Sequence, residues 1–194
     1  MIIGFHLAWT CYGHWFPNDP RGSWSDEVWK PELLELRRLD DGRKVTHPRP
    51  VEPGEMRRFL DTARARLKWD VVCLKDSEIR MVGGAFAEVV EAVRLEVHAC
   101  AIMPNHVHVV VGRHAESYER MVSRLKARAS QKIREVRGIR ATDVRRERVP
   151  IWTEGYWVRY IDNVEQMDRV IDYVNRNPGP DRPQRWSFVR GFNA

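Results

Sequence analysis

The sequence predicts an α+β fold in which helices pack on an antiparallel β-sheet. Hydrophobic periodicity gives the element order strand, helix, strand, strand, helix, strand, helix. Only two turn-forming residues separate the middle strands, which favours an antiparallel hairpin. This order is compatible with a ferredoxin-like core. A chain of 194 residues that is 43% hydrophobic can bury one sizeable core, so we expect a single domain over 1–194 with a possible insertion at about 31–75.

The N-terminal part begins with a predicted strand and continues through a long loop into two helices. Residues 5–12 (FHLAWTCY) mix aromatic and β-favouring side chains, and a segment rich in Pro, Asn, Asp and Gly follows them. Residues 31–54 contain charges and prolines with little periodicity, which favours an exposed excursion. Hydrophobic residues then recur at helical spacing in 55–69 and again from Asp76 onward. Two helices are therefore predicted before the hairpin, the first of them within the possible insertion at about 31–75.

The hairpin and the helix after it give the clearest patterns. Two apolar segments, 96–103 and 106–112, are separated by Pro104 and Asn105, which are turn formers. We place this hairpin at the centre of the sheet. Residues 116–137 have an apolar stripe surrounded by arginine and lysine, which predicts a long basic amphipathic helix.

The C-terminal part is predicted to contain one strand and one helix. Residues 149–161 are aromatic and β-branched, as is typical of a strand. Residues 164–177 read as a helix that a Pro-Gly pair ends. One face of this helix carries four apolar residues, Val164, Met167, Ile171 and Val174.

Composition limits the function classes. Thirty-three Lys and Arg against 27 Asp and Glu give a net charge of +6 and a pI of about 9.5, which suits a polyanionic partner, although solvated charges would give the same balance. The odd number of cysteines, three, argues against a disulfide framework. No apolar run approaches the roughly 18 residues of a membrane helix, and the N-terminus lacks the pattern of a signal peptide. We expect a cytoplasmic protein with no membrane partner.

His106 and His108 are candidates for binding a metal ion. Side chains two residues apart in a strand point to the same face, about 6.6 Å apart along it, so the two imidazoles can converge on one ion. Two histidines are an incomplete site, so a further oxygen or nitrogen donor must come from elsewhere. Two histidines on a half-exposed strand face would produce the same pattern with no metal.

The last predicted helix presents a phenol and an amide. Tyr173 and Asn177 lie four residues apart on one face, off the apolar stripe. A tyrosine is a poor nucleophile at its free pKa near 10, but a nearby cation can polarise a phosphate and favour attack by the phenolate. A tyrosine packed at the edge of the core and an asparagine helix cap are the structural alternatives.

These residues lie within motifs that resemble a known family. The segments MPNHVHVVV at 103–111 and DYVNRNP at 172–178 resemble the His-hydrophobe-His (HUH) single-tyrosine transposases of the IS200-like family, particularly the REP-associated tyrosine transposases. The N-terminal HLAWTCYGHWFPNDPRGSW and the IWTEGYWVRYI before the last helix also resemble that group. The resemblance covers most of the chain except roughly 31–75.

The resemblance implies an HUH endonuclease core and cleavage of single-stranded DNA near a hairpin. It implies that Tyr173 is the nucleophile, which forms a 5′-phosphotyrosine link and leaves a 3′-hydroxyl that can later rejoin the strand. It makes His106 and His108 ligands of Mg²⁺ or Mn²⁺ and Asn177 the third polar ligand, where many insertion-sequence relatives carry glutamine. The partner would be single-stranded or hairpin DNA, and the protein would act as a monomer or a homodimer.

Further residues are candidates for contact with nucleic acid. The basic helix offers four side chains for phosphate contact, Arg124, Lys126, Arg128 and Lys132. Lys126 could also neutralise charge on the phosphate or the leaving oxygen, although a solvated lysine is the ordinary alternative. Trp15 and Trp24 flank a polar loop and could stack on unpaired bases. Arg21 in that loop could reach a base edge or a phosphate, or it could brace the loop.

Three alternatives remain open at this point. The same fold could bind a DNA or RNA hairpin without turnover. A structural zinc site could be formed by neighbouring strands with four ligands, His98, Cys100, His106 and His108. A metal-assisted hydrolase could activate water instead of Tyr173, in which case no covalent adduct would form between protein and DNA.

Overall fold

A four-stranded antiparallel sheet organises the protein. The computed structural model describes residues 1–16, 52–139 and 149–192, and these ranges contain four strands and four helices. In chain order the elements are β1 (Gly4–Thr10), α1 (Pro53–Ala65), α2 (Asp76–Val93), β2 (Val97–Ile102), β3 (His106–Gly112), α3 (Tyr118–Val136), β4 (Trp157–Ile161) and α4 (Val164–Arg176). The spatial order of the strands is β2-β3-β1-β4, and every neighbouring pair is antiparallel.

The architecture confirms the predicted α+β, ferredoxin-like fold. β1, α2, β2, β3, α3 and β4 follow one another in β-α-β-β-α-β order, which defines that fold. The predicted hairpin is present as β2 and β3, but its predicted place at the centre of the sheet is wrong. β2 lies at an edge, and β1 occupies the second central position because it pairs with both β3 and β4.

Two predicted elements have a bound that lies four or more residues from the observed one. The first helix ends at Ala65 rather than at 69. The predicted strand 149–161 is confined to β4. Before β4, Trp152 forms only an isolated bridge with Cys11, and the next three residues turn their carbonyl groups to a lysine side chain. The carbonyls concerned belong to Thr153, Glu154 and Gly155, and all three accept from Lys126 Nζ.

Helices cover both faces of the sheet. α2 and α3 pack against each other on one face, where the Trp9 ring lies 6.0 Å from the Phe86 ring. α4 covers the other face over β2 and β3. Its apolar side differs from the prediction, because Val164 is 42% exposed whereas Val170 is buried. The cluster beneath α4 consists of Ala99, Ala101, Val110, Ile161, Met167, Val170 and Val174.

The predicted apolar stripe of α3 is confirmed. All four of its members are buried, Met121, Leu125, Ala129 and Ile133. The end of this helix is tied to the start of α2 by Arg137, whose Nε and Nη2 donate to the buried Glu78 carboxylate at 2.6 and 3.0 Å. The Arg137 guanidinium holds the pKa of Glu78 below its usual range. α2 and α3 are therefore joined by charge as well as by apolar packing.

The C-terminal segment covers the free edge of β2. Gln184 makes two hydrogen bonds to the backbone of Ile102, accepting from its N–H at 2.8 Å and donating to its carbonyl at 2.6 Å. Trp186 Nε1 donates to the Cys100 carbonyl at 3.2 Å. These contacts occupy backbone groups that an edge strand otherwise exposes. The Trp186 ring lies where a Cβ at Gly83 would be, which explains one of the two adjacent glycines inside α2.

The chain divides into two compact units. The first consists of Met1–Cys11 and Cys73–Ala194, and it contains the sheet; the second is Tyr12–Val72. Within the second unit, Phe59 of α1 packs edge-to-face on Phe16 with ring centroids 5.8 Å apart. The single-domain organisation with an insertion at about 31–75 stays a prediction. None of the helices in the described ranges has the length and apolar composition needed to cross a bilayer.

The two glycines of α2 should respond oppositely to the same substitution. Gly83→Ala is expected to lower the free energy of unfolding by about 1–3 kcal/mol, because the added methyl group displaces the Trp186 ring. Gly84 is exposed, and a Cβ added there would meet no atom within 4 Å. Gly84→Ala should therefore raise the free energy of unfolding by up to about 1 kcal/mol, because alanine has the higher helix propensity. Chemical denaturation measures both. Equal stabilisation by the two variants would show that Trp186 does not lie against α2.

Candidate active site

β3 brings both predicted histidines to the face that α4 covers. His106 and His108 alternate with Val107 and Val109, which are buried on the opposite face. The strand neighbours of His108 are alanines on both sides, Ala8 of β1 and Ala101 of β2. Their short side chains leave room above the sheet for an imidazole ring and for the helix that crosses it.

α4 places the tyrosine and the asparagine beside these histidines. The Nε2 of His106 lies 3.1 Å from the Oδ1 of Asn177. The rings of His108 and Tyr173 meet edge-to-face with centroids 5.6 Å apart. Tyr173 remains 54% exposed, so an external phosphate can reach its side chain. The four residues chosen from the sequence therefore lie in one place, although β3 and α4 are far apart along the chain.

Asn177 combines two roles that the sequence presented as alternatives. It is the C-cap residue of α4, and its backbone N–H donates to the Val174 carbonyl at 3.2 Å. Its side chain is simultaneously directed to His106. Asn177 can therefore cap the helix with its backbone and contact His106 with its side chain at the same time.

His6 is a further member of the site that the sequence analysis missed. It is buried in β1, and its Nε2 lies 2.9 Å from the Nδ1 of His108. Its ring also meets the rings of Trp157 and Tyr173 at centroid distances of 5.0 and 6.0 Å. His6 lies in a strand that was correctly predicted, but only the register of β1 against β3 places it beside His108.

In both histidines of β3, the Nδ1 atom faces a hydrogen-bonding partner. The Nδ1 of His106 lies 2.7 Å from the Oδ1 of Asn105, and the Nδ1 of His108 faces His6. A neutral imidazole has one N–H, so when His106 donates from Nδ1 to Asn105, its Nε2 carries a lone pair. That lone pair faces the Asn177 oxygen, which is also an acceptor.

This arrangement fits a divalent cation. Two acceptor atoms that face each other are stabilised by a positive ion between them. Two ligands at about 2.1 Å from an octahedral ion and at right angles to each other are about 3 Å apart, which agrees with the 3.1 Å between His106 Nε2 and Asn177 Oδ1. Among the described residues no three His, Cys, Asp or Glu side chains form a metal site, so the candidate donors are two imidazoles and an amide.

Burial keeps the histidines of the site neutral. It lowers the pKa of His108 to about 3, with smaller contributions from His6 and His106. It lowers the pKa of His6 to about 4, and Arg159 acts in the same direction. The pKa of His106 is also lowered by burial, although the Asn177 oxygen acts in the opposite direction because it would accept from the protonated ring. Neutral imidazoles at pH 7 retain the lone pairs that a metal ion requires.

Three of the four basic side chains of α3 that are candidates for phosphate contact form ion pairs within the protein. Arg124 forms a two-point contact with Glu116, at 2.9 Å from Nε and 2.7 Å from Nη2. Arg128 pairs with Glu88, and Lys132 Nζ lies 3.3 Å from the same carboxylate. Contact of these residues with nucleic acid stays a prediction, and it would have to replace or share these ion pairs.

Lys126 has a different environment from the other basic residues of α3. Its Nζ donates to the carbonyls of Thr153, Glu154 and Gly155 at 2.9, 3.2 and 2.7 Å. Burial lowers its pKa to about 8. The ammonium group therefore fixes the loop before β4 with all three of its donors, and its role at a phosphate stays a prediction.

The remaining predictions on nucleic-acid contact concern the segment of sequence that follows β1. Trp15 is half-buried. Arg21 and Trp24 lie outside the described residues. Stacking of the tryptophans on bases and contact of Arg21 with DNA stay predictions.

The alternative of a structural zinc site is wrong. Cys100 pairs with Val109 in the sheet, so its side chain lies on the face opposite to His108. His98 is buried and is bonded through Nδ1 to the Gly191 carbonyl at 2.7 Å. The four proposed ligands do not converge, and the described residues contain no other set of three such ligands.

The sequence matches the model of one protein family. The model of the family described as IS200-like transposase matches residues 68–177, more than half of the chain. The protein therefore belongs to the IS200-like transposase family. The match contains β3 and α4 as far as Asn177, and hence His106, His108 and Tyr173. A comparison with curated proteins gives no match.

Two solved structures are similar at low sequence identity. A REP-associated tyrosine transposase bound to a REP hairpin is 12% identical with a TM-score of 0.46, over 91% of this chain and 66% of that chain. A transposase-like protein from Deinococcus radiodurans R1 is 11% identical with a TM-score of 0.41, over 90% of this chain and 89% of that chain. The chain thus spans slightly less than two thirds of the first of these proteins.

Buried neutral histidines should make the metal-free protein acid-sensitive. Their folded pKa values, about 4 for His6 and about 3 for His108, lie below the unfolded value near 6.5. The unfolded state binds more protons below pH 6.5, so stability present at pH 7 is lost as the pH falls, by at most about 1.4 kcal/mol per pH unit for each histidine. Urea unfolding in EDTA between pH 7 and pH 5 measures this slope.

The matched variant for this measurement is His108→Gln. It removes one titrating group from the site, so its unfolding free energy should depend less on pH over the same interval. An identical pH dependence in the two proteins would contradict the assignment of the slope to the site.

Proposed function

We propose that the protein is a metal-dependent endonuclease and strand transferase for single-stranded DNA, with Tyr173 as the nucleophile. The observation that carries this proposal is the meeting of Tyr173 and Asn177 from α4 with His106 and His108 from β3. Membership of the IS200-like transposase family supports it. So does the exposure of Tyr173, because a nucleophile must reach a phosphate of the substrate.

The ion would be held by His106 Nε2, His108 Nε2 and Asn177 Oδ1. When bound, a divalent ion polarises the scissile phosphate and offsets the charge that develops on it. Imidazole nitrogen suits softer ions better than Mg²⁺, which prefers oxygen ligands. Of the two ions that the motifs imply, Mg²⁺ and Mn²⁺, the donor set therefore favours Mn²⁺.

Tyr173 carries out the covalent step. Its Oη forms a bond to the phosphorus, and the bond between the phosphorus and the 3′-oxygen breaks. The phenolic proton passes to solvent, and the leaving 3′-oxygen takes up a proton, so protons balance. The 5′-phosphotyrosine preserves the phosphodiester bond energy, and a later 3′-hydroxyl can attack it to rejoin a strand without another energy source. α4 would orient the Tyr173 hydroxyl toward the phosphate, because the helix fixes the Tyr173 backbone beside the histidines.

The substrate would be single-stranded DNA next to a hairpin, as the HUH and tyrosine motifs imply. The net charge of +6 supports a polyanionic partner. Arg128 and Lys132 lie on one helix and share one carboxylate, so a phosphate could take the place of Glu88. A strand transferase must hold the cleaved strand until rejoining, and such contacts would serve that purpose.

Covalent capture tests the nucleophile. A labelled oligonucleotide with a hairpin and single-stranded flanks, incubated with the protein and Mn²⁺, should give a protein-DNA adduct that survives denaturation. Tyr173→Phe should abolish the adduct because it removes the attacking oxygen, and EDTA should suppress it. Tyr160→Phe is the matched control, since Tyr160 is also exposed, at 48%, but lies on β4 beside Tyr118. This control should retain adduct formation.

Two other outcomes would replace the proposal. Tight binding without adduct or cleavage would favour a non-catalytic hairpin-binding protein. Cleavage that leaves no adduct and is unchanged in Tyr173→Phe would favour a hydrolase that activates water.

Glu88, which pairs with two basic residues of α3, should limit the affinity for single-stranded DNA. Glu88→Gln is expected to strengthen binding of single-stranded DNA, because it frees Arg128 and Lys132 from their shared carboxylate. If both then contact phosphates, the slope of log affinity against log salt should steepen by about 0.7 for each new contact. Fluorescence anisotropy at several salt concentrations measures this. Glu91→Gln, an exposed position on the same helix, adds the same charge and controls for net charge; an equal effect there would contradict a local role.

A further inference from the structure

We propose that His6 is a positioning residue that holds the His108 imidazole in the orientation and tautomer needed to bind the ion through Nε2. This inference rests on the proposed metal site. His6 touches neither the phosphate nor the ion in this scheme, and it acts only through His108. The observation that carries it is the 2.9 Å separation of His6 Nε2 and His108 Nδ1.

The position of His6 is fixed by the sheet. It lies in β1, which pairs with β3 on one side and β4 on the other, opposite Val110 and Arg159. Its side chain is 3% exposed, and the Trp157 ring meets it edge-to-face. A side chain that is closely packed on a doubly paired strand has little freedom to move. His6 can therefore act as a rigid reference for the half-buried His108.

The direction of the hydrogen bond decides whether His108 can bind a metal ion. One proton lies between His6 Nε2 and His108 Nδ1. If His6 donates it, the neutral His108 carries its own proton on Nε2, and that atom has no lone pair to offer. If His108 donates it, Nε2 is free. Binding of an ion at His108 Nε2 therefore requires His6 to act as the acceptor, as partners behind metal-bound histidines commonly do.

The other histidine of the pair has its own partner. His106 Nδ1 faces Asn105 Oδ1, which can only accept, so when the ion occupies Nε2 this contact stabilises the Nδ1–H form of His106 without help from His6. Asn105 is exposed whereas His6 is buried. The effect of His6 should therefore be confined to His108. His6 itself is unsuited to be a third ligand because its Nε2 is already directed at His108.

A pair of variants with similar shape isolates the hydrogen bond. The amide oxygen of glutamine reaches the place of the imidazole Nε2 and can accept a hydrogen bond there, whereas methionine has a similar length but offers only a weakly accepting sulfur. We expect His6→Met to weaken Mn²⁺ binding tenfold to a hundredfold, the usual effect of losing such a partner. His6→Gln should keep most of the affinity. Isothermal titration with Mn²⁺ alone measures both, and thermal unfolding checks that each variant is folded.

The tautomer of His108 gives a readout that does not depend on the variants. Nitrogen-15 spectra of the metal-free wild-type imidazoles should show His108 protonated at Nδ1. Protonation at Nε2, with His6 as the donor, would overturn the inference even if both His6 variants failed to fold. Equal Mn²⁺ affinity in wild type and folded His6→Met would overturn it as well.

His108→Ala separates this inference from the proposed function. If His108→Ala binds Mn²⁺ as wild type does, the proposed metal site itself is wrong. If His108→Ala loses Mn²⁺ binding while His6→Met retains it, the metal site stands and only the role of His6 fails.

Discussion

The packing of α4 on the sheet is the constraint on which the candidate site depends. The helix lies on residues with small side chains, Ala99 and Ala101 of β2, and a Cβ at Gly4 would approach the Met167 side chain to 2.6 Å. Met167, Val170 and Val174 fill the space between helix and sheet. Because these three contacts fix the rotation of α4 about its axis, they also fix which residues of its flank are directed toward β3. A larger side chain beneath the helix would lift both Tyr173 and Asn177 away from the histidines.

The packing of α4 therefore couples the positions of the proposed nucleophile and the proposed third metal ligand. Tyr173 and Asn177 are one turn apart, so any displacement of α4 changes their distances to His108 and His106 together. Asn177 is the C-cap residue of α4, and its N–H donates to the Val174 carbonyl. The site is thus built from a helix and a strand, which are more rigid than loops. Its geometry should therefore be largely formed before DNA binds.

The fold could be predicted from hydrophobic periodicity, whereas the details of the candidate site depend on how the strands pair and how the helices pack. The alternation in 106–112 and the three-four spacing in 116–137 are local signals, so β3 and α3 could be predicted within a few residues. His6 could not, because its role appears only when the register of β1 against β3 is known. The position of β2 at the sheet edge likewise depends on β1 entering beside β3, a contact between segments far apart in sequence. The ion pairs of α3 bind Glu88 of another helix, and no pattern within α3 indicates them.

The chemistry of the donors bears on how metal and DNA would be bound. The three proposed ligands, His106, His108 and Asn177, are neutral, since burial lowers the pKa values of both histidines. A site with carboxylate ligands would bind a divalent ion more strongly, but it would also cancel much of the ion's charge. Neutral ligands leave that charge to attract a phosphate, and the phosphate oxygens can complete the coordination. Metal and DNA should then bind more tightly together than separately, because each supplies what the other lacks at this site.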